Sequence, residues 1–239
     1  MRIALLIVEF VALYFISRAL TQTLFFFFYR ISRNKSVAIS VTTALLFPGT
    51  VIHELSHLFT AEVLGVPTGK LTLVPEGLST KEDGEGEIRT GSVSIAKTGP
   101  FKRAAIGIAP VIVGLGALAL LAYFLPTTWS AFLASTAPFF EKGETYALLL
   151  IIYLLFAVSN SLFASPEDLS GFWPLAITVA LLAGAVWIAG FRLELTGKAL
   201  EVGTGLANGL FQSLALVLAL NVLILLLMHG LLILTRKRR

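Results

Sequence analysis

The chain has 239 residues, of which 56% are hydrophobic and only 13% charged, with a formal net charge of +4. So much apolar surface exceeds what a soluble core of this length can hide, which excludes an ordinary water-soluble domain and implies an integral membrane protein. The absence of cysteine excludes disulfide frameworks and thiolate metal sites, and with no basic face or base-stacking motif the positive charge gives no reason to expect nucleic-acid binding.

A bilayer core of about 30 Å needs roughly 20 apolar residues per helix. The first segment of that kind runs from about Ile3 to Tyr29, carries Glu9 and Arg18, and ends in the basic stretch Arg30 to Lys35. Its charged start and apolar run imitate a signal peptide. No small-residue cleavage site follows, and the apolar character continues through Phe25 to Phe28, so a retained anchor is expected. The second segment, about Val37 to Leu64, contains Pro48-Gly49, where a kink is expected, and Gly65-Val66-Pro67 is expected to end it.

From Thr68 to Arg103 the composition changes. Two short alternating runs, Leu71 to Val74 and Ser92 to Ala96, flank the polar stretch Lys81 to Glu87, a pattern that predicts a β-hairpin. An open strand edge cannot face lipid, so the hairpin belongs at the interface or in a protein-lined cavity, where its edge is a candidate peptide-docking surface. Further apolar segments follow at about Ala104 to Leu125, Tyr146 to Ala164, Phe172 to Gly190 and Leu206 to Leu234, before the basic tail Arg236 to Arg239.

The expected fold is therefore an all-α polytopic membrane protein of about six transmembrane helices, with a small membrane-associated β-hairpin (68–103) between the second and third, in one domain covering 1–239. Six crossings place the basic tail and the hairpin on one side and Arg30, Arg33 and Lys35 on the other. The positive-inside rule then favours a cytoplasmic tail. Gly114 and Gly116 are expected to allow close helix contact.

The second segment contains His53-Glu54-Leu55-Ser56-His57. Histidines at i and i+4 share one helix face and can hold one zinc ion together. Glu54, beside the first of them, can take a proton from a water attacking a carbonyl and pass it to the leaving amine. Ionisable groups inside a membrane helix cost a few kcal/mol each and mark function by default.

Two histidines leave a catalytic zinc short of a protein ligand, so a third is expected. Asp168 is the leading candidate, in a stretch where an apolar helix breaks at Pro166 and Gly171 follows. Glu167 competes from the same break. Glu76, in a Pro-Gly turn, and His229, the remaining imidazole, near the end of an apolar segment, fit the role less well.

His53 to His57 in a membrane helix, followed far downstream by Asn160 and Asp168, resembles the site-2 protease family of intramembrane metallopeptidases. In that family a later helix carries Asn and Asp in a segment of the form N-x-x-P-x-P-P-x-D-G. Asn160 and Asp168 have that separation and Pro166 matches one proline, while Leu169 replaces the glycine. Thr98-Gly99-Pro100 is similar to the family's Gly-Pro turn, and the resemblance covers about 37–171, without a PDZ-like insertion. It implies His53, His57 and Asp168 as zinc ligands and Glu54 as general base. For Asn160 it implies a helper near the substrate or oxyanion, with interhelical hydrogen bonding to Ser159 or Ser161 as the other role.

These readings converge on a zinc metalloendopeptidase that hydrolyses peptide bonds of membrane-associated substrates, in or near the bilayer of a prokaryotic cell membrane. The rival is a membrane scaffold or binding protein that keeps a structural zinc site.

Overall fold

A computed structural model describes residues 2–72, 92–96, 98–136, 138–141, 143–163, 168, 177–178, 180–182, 184–185, 188–190 and 197–237. Five helices among them are long and apolar enough to cross a membrane. They are α1 (Arg2–Ser32), α2 (Lys35–Val63), α3 (Pro100–Ala134), α4 (Gly143–Asn160) and α5 (Gly197–Lys237). The segment expected at 172–190 is described only in part. Its described residues 177–178, 180–182, 184–185 and 188 are helical.

The helix ends follow local chemistry. The Asn34 side chain accepts from the backbone N–H groups of Ser36 and Val37, capping α2. At the other end Gly65 takes a positive φ of 64°, and the N–H of Val66 returns to the carbonyl of Ala61, so α2 stops where Gly65-Val66-Pro67 says it should. Pro48 lies inside α2 without ending it. Gly99 is the N-cap of α3 and Pro100 opens it, at a position where a missing N–H costs no helical bond.

Between α2 and α3, strands β1 (Thr68–Thr72) and β2 (Ser92–Ile95) pair antiparallel, with Thr72 opposite Ser92 and Leu71 opposite Val93. An irregularity between Thr68 and Leu71 shifts the register. The tip expected at Lys81 to Glu87 lies outside the described residues.

Two of the apolar clusters among the described residues tie the long helices together. One gathers Leu13, Leu118, Leu155, Val158, Leu162, Leu214 and Val217; the other gathers Leu20, Leu24, Leu46, Phe156 and Ala157, with Ile224 and Met228 against it. Along α1 the order is Leu13, then Leu20 and Leu24, and α5 meets the same clusters in the same order. The first and last helices therefore run in the same direction.

Helices α1 to α4 alternate: the end of α4 runs against α1, with Phe163 beside Phe10 and Asn160 beside Ser17, and along α2, with Ala157 at Gly49 and Ser161 at His53, while Gly107 and Gly114 of α3 climb against Asp168 and Leu162. The packing of the described residues gives five long helices that alternate in direction; the segment expected at 172–190 is described only in part. This packing also puts the end of α5 and the Arg33 turn at the same face of the bundle.

Close approach occurs at small residues. A methyl group at Gly49 would collide with the backbone of Ala157, and one at Gly107 with the carbonyl of Asp168. Gly114 sits under the Leu162 side chain as expected, whereas a methyl group at Gly116 would meet nothing within 4 Å among the described residues. Residues two apart on a helix point nearly opposite ways, so the two glycines face different sides of α3. Within α1, Arg18 donates to the Tyr14 hydroxyl at 2.8 Å, and Glu9 keeps one buried carboxylate oxygen with no hydrogen-bond partner among the described residues.

Candidate metal centre

Helix α2 delivers His53, Glu54 and His57 to the interior. His57 and Glu54 are buried, at 4% and 7% exposure. The side chain of His53 is 12% exposed and that of Asp168 21%, so the site opens on the side of these two residues. The ring centroids of the two histidines lie 5.0 Å apart. Gly49, one helical turn before His53, lets the end of α4 approach this face of α2.

That approach fixes the first imidazole: Nδ1 of His53 lies 2.9 Å from the carbonyl oxygen of Ser161, just past the end of α4. Nδ1 of His57 lies 2.8 Å from the carbonyl oxygen of Ile106 on α3. A carbonyl oxygen only accepts, so each Nδ1 carries the proton and donates it. In the neutral ring each Nε2 then presents a lone pair.

Both lone pairs face Asp168. Nε2 of His57 is 3.3 Å from Oδ1 and Nε2 of His53 is 3.7 Å from Oδ2. One ligand atom from each of the three residues lies within 4.8 Å of the others. Three electron-rich atoms held this close in a low-dielectric interior repel unless a cation sits among them. Metal–ligand bonds of about 2.1 Å in a tetrahedron give ligand–ligand edges of about 3.4 Å, close to the two separations here.

The geometry and donor types therefore fit a divalent metal ion, and imidazole with carboxylate suits zinc among several transition metals. The carbonyls of Ser161 and Ile106 supply the outer hydrogen bonds that orient metal-binding histidines.

Glu54 is outside the ligand set, yet its carboxylate is close enough to interact electrostatically with His53, His57 and Asp168. It is a buried carboxylate beside the candidate ligands and not consumed by them.

Asp168 is thus brought to the histidines as expected. Glu167 and Glu76 lie outside the described residues. His229 is exposed on α5 and is no member of the cluster.

Asn160 is placed differently from an oxyanion donor. Its amide nitrogen donates to the carbonyl of Phe156 at 2.8 Å and to Oδ1 of Asn221 at 3.0 Å. Both amide hydrogens are thereby engaged, so in this arrangement none remains for an oxyanion. Its Oδ1 is buried with no partner among the described residues. The interhelical role is the one seen, although its principal partner is Asn221 on α5, with Ser159 only at 3.5 Å and Ser161 not involved.

Ser161, Ile106, Gly49, Gly107 and Asn221 were not among the expected site residues. Backbone carbonyls leave no mark in a sequence. Gly107 did leave one, since it lies seven residues before Gly114 and so on the same face of α3. The chain matches no protein-family model, no curated protein and no solved structure.

Proposed function

We propose that this protein is a zinc-dependent endopeptidase that hydrolyses peptide bonds of membrane-associated proteins. The observation that carries the reading is the pairing of a preoriented donor set with an uncommitted buried carboxylate. Both imidazoles are locked to present Nε2 toward Asp168, and Glu54 stands beside them.

His53 and His57, through Nε2, and Asp168, through a carboxylate oxygen, would hold the ion. When bound, zinc supplies a Lewis acid that polarises the scissile carbonyl and acidifies water. Glu54 accepts a proton from the attacking water and returns it to the leaving amine nitrogen. The Ser161 and Ile106 carbonyls keep both rings in one tautomer throughout.

Hydrolysis consumes water, and the position of the site limits how far water must travel. His57 lies six residues before the end of α2 and Gly107 seven after the start of α3. At 1.5 Å per residue this is about 10 Å from the hairpin end of the helices. A helical substrate must unwind locally, because its own hydrogen bonds shield the carbonyl. The outer edge of the strand pair, unpaired among the described residues, would receive the extended segment by strand addition at the membrane interface.

The test is cleavage of membrane-anchored peptides by purified protein, with and without a helix-weakening Gly-Pro pair near the scissile bond. The wild type is expected to cleave the weakened peptide faster. Glu54→Gln is expected to lose on the order of 10²- to 10⁴-fold in rate. If the metal-loaded wild type cleaves no peptide, or Glu54→Gln cleaves as well as it does, the peptidase reading fails and a structural metal site in a binding protein takes its place.

A further inference from the structure

A buried polar cluster joins three helices at the end of α4. Asn221, on α5, is fully buried, as is Ser159. The Asn221 amide nitrogen donates to Oγ of Ser159 at 2.9 Å, and its Oδ1 accepts from Asn160 at 3.0 Å. Ser159 in turn donates to the carbonyl of Phe156 at 3.0 Å. The directions are fixed, because the Phe156 carbonyl only accepts and so sets which end of the Asn160 amide faces it.

From α1, the hydroxyl of Ser17 donates to the Asn160 carbonyl, one of the carbonyls that a helix end leaves without a partner. The next residue is Ser161, whose carbonyl accepts from Nδ1 of His53.

We propose that Asn221 is a positioning residue for the metal centre, acting from α5 through the end of α4 on the orientation of His53. The bonds it makes pin the last turn of α4 in two directions at once. Without them that turn is held on its α5 side by apolar contact alone, which does not fix the direction of a carbonyl. The Ser161 carbonyl would then sample several directions and the lone pair of His53 would follow it.

An amide buried among apolar helices is costly unless fully bonded. Both ends of the Asn221 side chain are bonded, and both bonds go to the α4 end. The inference rests on the metal-binding part of the proposed function and not on its peptidase part.

The test compares Asn221→Ala with Val217→Ala, one turn earlier on α5 and equally buried. Both remove packing, and only the first removes the clamp. Full-length protein in detergent is titrated with zinc against a chelating indicator. Separately, it is loaded with cobalt(II) to read the ligand-field bands.

Asn221→Ala is expected to weaken zinc binding about tenfold, at the lower end of what outer-shell changes cost, and to shift the cobalt bands. Val217→Ala is expected to lower the thermal midpoint and leave both readouts unchanged. Should Asn221→Ala fail to fold, Ser159→Ala removes one arm of the clamp and a single oxygen atom, and is expected to weaken zinc binding by up to about tenfold. Wild-type zinc affinity and cobalt bands in Asn221→Ala, or in Ser159→Ala where only that variant folds, would overturn the proposal. So would equal losses of affinity in Asn221→Ala and Val217→Ala. Because neither readout involves hydrolysis, failure here leaves the cleavage result of the wild type to speak separately for the peptidase reading.

Discussion

At the scale of residues, the candidate site divides into groups that would hold a metal and one that would act beside it. His53, His57 and Asp168 converge, while Glu54 is buried next to them without joining the set. Replacing a ligand and replacing the base should therefore have separable effects. His57→Ala is expected to abolish tight metal binding, since it removes the most buried donor and strands the Ile106 carbonyl that it satisfies.

Acid is expected to release the metal as well, because protons compete for both Nε2 atoms and the carboxylate, so binding falls as the pH falls. Titration of metal against an indicator at several pH values reads this directly, and binding that strengthens in acid would contradict it. The histidine–glutamate motif was legible in the sequence because the spacing alone sets its geometry. The carbonyls of Ser161 and Ile106 were not, because any residue supplies one and only the tertiary packing chooses which.

At the scale of elements, glycines set how near the helices come. Gly107 brings α3 against the backbone of Asp168. Gly107→Ala is expected to push the third ligand outward, weakening metal binding and costing about 1–3 kcal/mol of stability through overpacking. Gly116→Ala on the same helix, where the added methyl group meets nothing within 4 Å among the described residues, is expected to change stability by less than about 0.5 kcal/mol. Thermal unfolding and metal titration of the two variants check the contrast, and equal effects would show that the close approach does not matter.

The helix boundaries were legible to within a few residues where capping chemistry is strong, as at Asn34, Gly65 and Pro100. The partner of Asn160 was not. A lone Asn221 in an apolar run carries no spacing signal, and only the packing of α5 on α4 pairs the two amides.

At the scale of the whole molecule, the parallel run of α1 and α5 is what five alternating crossings require, and the segment expected at 172–190 is described only in part. Five alternating helices put Lys35, at the start of α2, and Lys198, at the start of α5, on opposite faces, whereas six would put them on the same one. The native chain has no cysteine, so Lys35→Cys and Lys198→Cys can be labelled singly with a membrane-impermeant maleimide in sealed vesicles. Labelling of the two from opposite sides is expected, and labelling from the same side would restore the sixth crossing. The same alternation sets the metal centre nearer the face that carries the strand pair, and the proposed route for water and substrate follows from that face.

The central claim is that His53, His57 and Asp168 hold a catalytic metal for which Glu54 is the base. Zinc content of the purified protein tests it most directly, measured for the wild type, His53→Ala, Asp168→Ala and Glu54→Gln beside a peptide-cleavage assay on the same samples. The expected result is near-stoichiometric zinc in the wild type, loss of zinc in His53→Ala and Asp168→Ala, and zinc retained without cleavage in Glu54→Gln. Folded wild-type protein that binds no metal when zinc is supplied, or an Asp168→Ala variant that keeps both zinc and cleavage, would contradict it.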